Sequence, residues 1–94
     1  DGKPETPLEG HQDRVTGALE LADRRLLSWS EDATLRLWTS FGEPEAILEG
    51  HQSEIHGALE LSDRRLLSWS RDGTLRLWAS TGEYEKMLKF HHAA

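Results

Sequence analysis

Cysteine is absent from this chain, which excludes both a disulfide framework and a thiolate-held zinc site. Long apolar runs are absent too: none approaches the roughly 20 residues of a membrane-crossing helix, and no signal-peptide pattern opens the chain. Positive charge is in short supply, with 11 Lys+Arg against 17 Asp+Glu and a formal charge of −6. That argues against a nucleic-acid partner, which would require a basic patch to release phosphate counterions. There is no glycine-rich phosphate loop and no sign of a cofactor. Ninety-four residues allow one small domain, in which roughly 60–65% of the unfolded surface is buried. The first residue, Asp1, is what a chain released from a leader or larger parent would carry. The cytoplasm is the default compartment.

Aromatics are scarce, yet four of the seven are tryptophan, and they recur in register. Shifting the chain by 40 positions superimposes it on itself. Leu8-Glu9-Gly10-His11-Gln12 returns at Leu48 to Gln52, Asp23 to Ser30 returns unchanged as Asp63 to Ser70, and Thr34 to Trp38 returns as Thr74 to Trp78. Residues 8–47 and 48–87 differ at 12 of 40 positions. A period of 40 lies in the range of propeller blades. The organisation is therefore a repeat at 8–47, a second at 48–87, a leading segment 1–7 and a tail 88–94.

Each repeat has the two-residue period of strands. Val15 to Leu21 alternates around the small Gly17 and Ala18, Asp23-Arg24-Arg25 is a turn, and Leu26 to Ser30 is the next strand. Glu31-Asp32-Ala33 turns into Thr34 to Trp38, and Ser40-Phe41-Gly42 leads to an outer strand at Glu45 to Leu48. The fold class is all-β, with two four-stranded antiparallel sheets. Trp29 and Trp69 lie on the opposite strand face from Ser28 and Ser68, so each sheet expects a packing partner on both sides.

The Gly10-His11 and Gly50-His51 pairs, with Trp38 and Trp78 twenty-seven positions later, resemble the WD-repeat β-propeller family. Ser28 to Asp32 and Ser68 to Gly73 match its second and third strands. The near-identity of the units resembles a recently amplified, or designed, propeller. The chain departs from the family at the Trp-Asp dipeptide, where Thr39 and Ala79 replace aspartate. Ala33 also stands where the second repeat has Gly73, which implies a different or strained turn. The resemblance implies a buried hydrogen-bonded chain in each blade: Trp38, Ser28, His11 and Asp32, then Trp78, Ser68, His51 and Asp72. Ser30 and Ser70, on the same strand face, are the alternative serines.

A Ser, His and Asp set also invites a hydrolase reading. A nucleophilic serine needs exposure and an oxyanion hole, and here a tryptophan takes the place of substrate. The structural reading is preferred and catalysis is the remote alternative. For metals, His91-His92 is a terminal pair whose side chains diverge and His56 stands alone in a strand, so no metal site is expected. The differences Asp13/Ser53, Arg14/Glu54, Val15/Ile55, Thr16/His56 and Glu31/Arg71 fall where the family resemblance implies a partner-binding top rim. Drift of exposed loops would give the same pattern. This singles out Asp13, Arg14, Glu31, Ser53, Glu54, His56 and Arg71.

Propellers close with roughly four to eight blades, so two blades leave an apolar face open at each end. The faces are complementary, a head-to-tail arrangement that closes into a ring. The expected function is a non-enzymatic, self-assembling scaffold, most simply a homotetramer with eight blades, presenting a top face to a protein or peptide. The alternative is a fragment of a larger WD-repeat interaction protein. Residues 2–8 repeat 42–48 and 82–88, giving three copies of the outer strand for two blades. Pro4 and Pro7 have opposite parity and would cost the N-terminal copy a ladder bond. The C-terminal copy, with Tyr84, Leu88 and Phe90 on one face, is expected to complete its blade in cis, leaving residues 1–6 mobile. Tyr84, Met87, Leu88 and His91 also fit helical spacing.

Overall fold

The computed structural model describes residues 10–89. The strands are β1 (Val15–Glu20), β2 (Leu26–Ser30), β3 (Leu35–Trp38), β4 (Pro44–Leu48), β5 (Ile55–Glu60), β6 (Leu66–Ser70), β7 (Thr74–Trp78) and β8 (Tyr84–Lys89). They form two antiparallel sheets in the orders β1-β2-β3-β4 and β5-β6-β7-β8. Leu48 closes the first sheet and β8 runs past residue 87, so the sheets end one and two residues beyond the sequence repeats. Among the described residues no helix is long and apolar enough to cross a membrane.

The hairpins follow from turn chemistry. In the first, Asp23 accepts the Arg25 backbone N–H at 3.1 Å and its Nε at 2.7 Å, while Arg24 adopts a left-handed φ of 77°. In the next, Ala33 takes φ 72° and Gly73 takes φ 84°, so both repeats keep one turn type and the alanine bears the strain. In the third, Thr39 Oγ1 accepts the backbone N–H groups of Phe41 and Glu43, which Ala79 cannot do.

The C-terminal copy of the outer strand is β8, paired with β7 through residues 84–89; the helical alternative is corrected. Helical spacing of apolar residues cannot compete with the exposed β7 edge, which satisfies the backbone groups of β8. The expected single face of Tyr84, Leu88 and Phe90 is corrected as well. The register shifts at Leu77/Trp78, pairing Trp78 with Tyr84 but Leu77 with Lys86. The extra residue of this bulge turns Tyr84 to the Trp78 face, where the rings meet edge-on at 5.5 Å. Leu88, opposite Leu75, stays on the other face. Phe90 and the expectation that residues 1–6 are mobile lie outside the described residues.

The two sheets stack face to face. Leu27, Trp29, Leu35, Leu37 and Leu48 of the first share one buried cluster with Ile55, Ala58, Leu66 and Trp78 of the second. Trp29 lies flat over Gly17, its partner on β1, where any Cβ would overlap the indole; Gly57 and Trp69 repeat the arrangement. Two polar contacts tie the sheets together: Thr16 Oγ1 donates to the Ile55 carbonyl at 3.1 Å and the Ala22 N–H to Glu60 at 2.9 Å.

Candidate functional site

Strand pairing brings residues far apart in sequence into one line of hydrogen bonds. In the second sheet Trp78 Nε1 donates to Ser68 Oγ at 2.9 Å. The Ser68 hydroxyl lies 2.8 Å from His51 Nε2, and His51 Nδ1 lies 3.2 Å from Asp72 Oδ2. The first sheet repeats this with Trp38, Ser28, His11 and Asp32 at 2.9, 2.8 and 3.0 Å. One proton arrangement satisfies every group: indole to serine, serine to Nε2, Nδ1 to carboxylate. Ser68 is wholly buried and so is the His51 side chain.

Ser30 and Ser70 are not members of this line. The Ser30 hydroxyl donates to the Asp13 carbonyl and accepts the Asp32 N–H, and Ser70 bonds the Glu54 carbonyl and the Asp72 N–H. They shape the turn that holds the aspartate. Sequence reasoning missed a fifth member. Thr34 and Thr74 donate to the second oxygen of Asp32 and Asp72 at 2.6 Å in both sheets. Their signal was identity in both repeats immediately after the turn. Gln12 and Gln52 were also missed; their backbone N–H groups bind the same carboxylates.

Burial alone would raise the Asp32 and Asp72 carboxyls. Hydrogen bonds from the following threonine, from the backbone of Gln12 or Gln52, and from histidine outweigh it, holding both far below the usual carboxylate range. His51 moves down: burial disfavours its charged form and Arg76 adds to this, against the pull of Asp72. It is therefore neutral near pH 7, as an Nε2 acceptor must be.

The rim residues divide into two groups. Glu54 gathers His56 at 3.5 Å and Arg71 at 3.7 Å. Asp13, Arg14 and Glu31 are adjacent through the backbone, with the Glu31 N–H on the Arg14 carbonyl, but share no ion pair among the described residues. Ser53 offers its carbonyl to Ser70. Trp29 sits in the buried cluster between the sheets, whereas Trp69, its equivalent on the outward side, is only partly buried. No group of three His, Cys, Asp or Glu that could hold a metal occurs among the described residues.

Residues 42–79 match the family model described as "WD domain, G-beta repeat". Those bounds begin at an outer strand and end after β7, so one family repeat spans parts of both sheets. No curated protein matches by sequence. Among solved structures, the C-terminal WD40 domain of Sif2 superimposes with a TM-score of 0.85 at 27% identity, covering 98% of this chain. The computationally designed Ika4 protein superimposes at 0.79 with 29% identity over the whole chain. This chain spans only 27% of the first and 59% of the second. Matched repeat, blade topology and the duplicated Trp-Ser-His-Asp line agree: residues 42–79 match a WD repeat, and the chain as a whole resembles two blades of a WD-repeat β-propeller.

Proposed function

We propose that the chain is a non-enzymatic scaffold that assembles head to tail into a closed ring and presents its rim to a protein or peptide. The observation that carries this reading is the unequal burial of equivalent residues. Ile55 is 1% exposed between the sheets, and Val15, in the same place on the outer face of the first sheet, is 50% exposed. Leu48 is fully buried, and Leu88, its equivalent on the far face of the second sheet, is 47% exposed. Fully burying such a side chain contributes about 1.5–3 kcal/mol, and each open face carries several. Each face resembles the one that already fits its complement inside the chain.

Four chains, giving eight blades, are the favoured ring, because a tryptophan and several leucines between blades suit a wide ring. Light scattering should then give four times the 10.7 kDa chain mass. Three or five copies would revise the blade number, and a stable monomer at micromolar concentration would end the assembly reading. The second reading, a segment of a longer interaction protein, is favoured by the short share of the solved neighbours that the chain spans. Catalysis is disfavoured because the serine oxygen is sealed between an indole and an imidazole.

A further inference from the structure

The junction between the two sheets of one chain is a template for a junction between chains, because each side of it recurs 40 residues away. Inside the chain, the Thr16 hydroxyl meets the Ile55 carbonyl and the Ala22 N–H meets Glu60. The loop after β7 closes over β4, so tightly that a Cβ added at Gly82 would lie 3.0 Å from that of Ala46. Moving each partner by one repeat places His56 against Val15 of a second copy and Ser62 against its Glu20. It also places Lys86 against that copy's loop at residues 39–43. Ser62 and Glu20 preserve the N–H to carboxylate bond.

The other two contacts change on both sides at once. Within the chain, the threonine hydroxyl donates to the backbone carbonyl of Ile55; between chains, the His56 imidazole takes the place of that hydroxyl beside the backbone carbonyl of Val15. Within the chain, Ala46 faces the loop bearing Thr81; between chains, Lys86 faces the loop bearing Phe41. Phe41 is 87% exposed, and Glu43 lies two residues away in the same loop. A lysine stem over an aromatic ring, with its ammonium beside a carboxylate, is a favourable arrangement. Two of the twelve differences between the repeats, at Phe41 and Lys86, thus meet as one complementary pair.

Resting on the assembly reading, we propose that the outer face of the second sheet docks the first sheet of a second copy, with Lys86 on its Phe41 loop and His56 on its Val15. The Lys86–Phe41 pair distinguishes the junction between chains from the junction within a chain. It sets the order of blades around the ring: second sheet to first, never first to first.

The chain has no cysteine, so introduced thiols report contacts without background. Phe41→Cys and Lys86→Cys chains, unfolded together and refolded, are treated with a short bismaleimide. Covalent dimers should form from the mixture and scarcely from either variant alone. The double variant should give a ladder that stops at the ring size. Phe41→Thr should weaken association about two- to fivefold, with no further loss in a Lys86→Ala background. Dimers within a single variant would show face-to-face pairing and overturn the proposal. So would an oligomer by light scattering without the mixed crosslink, although assembly itself would stand. A chain that stays monomeric would overturn assembly and this junction together.

Discussion

Replacing Ser68 by alanine removes one oxygen and almost no volume, so the change isolates hydrogen bonding from packing. That oxygen serves Trp78 Nε1 at 2.9 Å and His51 Nε2 at 2.8 Å. Ser68 is 0% and Trp78 1% exposed, so water cannot stand in for it. Each of the two buried groups left without a partner costs about 1–3 kcal/mol, which sets the loss at about 2–6 kcal/mol. Against the roughly 5–15 kcal/mol that holds a small domain together, this is severe. Denaturant unfolding of wild type and variant at one protein concentration measures it, since association adds to apparent stability. Trp78→Phe in the Ser68→Ala background should cost less than it does alone, because the orphaned indole N–H has gone. A loss below about 0.5 kcal/mol would refute the sealed network. Ester hydrolysis that disappears in Ser28→Ala or Ser68→Ala would overturn the structural role altogether.

Acid should destabilise the fold in two stages. His51 has a lowered pKa when folded, so below the ordinary histidine value of about 6.5 the unfolded chain gains a proton that the folded chain resists. Asp32 and Asp72 are depressed, so their stabilisation is present above about pH 4 and lost as pH falls below it. Thermal unfolding should be flat above pH 7, decline towards pH 5 and drop more steeply below 4; stability that rises on acidification would contradict this. Ala33→Gly should stabilise by about 0.5–1 kcal/mol, the relief of a left-handed alanine less the added chain entropy. Gly73→Ala should do the reverse, because space is open around its Cβ and only the backbone suffers. Exchanging Glu31→Arg with Arg71→Glu should leave the oligomer mass unchanged, as exposed pairs contribute about 0–1 kcal/mol. Loss of assembly would place both residues inside an interface.

Repetition made much of this protein legible from its residues. Two near-copies, each with four alternating segments and turn residues between them, leave little choice but paired four-stranded meanders. Partners such as His51 and Asp72, 21 residues apart, could be named because the spacing recurs and resembles a known family. Ser68 was preferred to Ser70 through the family resemblance alone, since both lie on one strand face; the cross-strand register decides it by putting Ser68 opposite Arg76 and within reach of His51. Thr74 escaped notice because its role depends on the angle at which the turn presents Asp72. The face of Tyr84 was misjudged because one bulged residue reverses parity, and alternation in sequence carries no mark of a bulge. Identical sequence also says nothing of burial. Leu27 is sealed and Leu67 is partly open although their neighbours in sequence are the same, because only the first has a second sheet packed against it. Local pattern determined the strands and the hydrogen-bonding groups. The stacking of one sheet on the other, a contact between distant residues, decided which apolar faces were satisfied and which still require a partner.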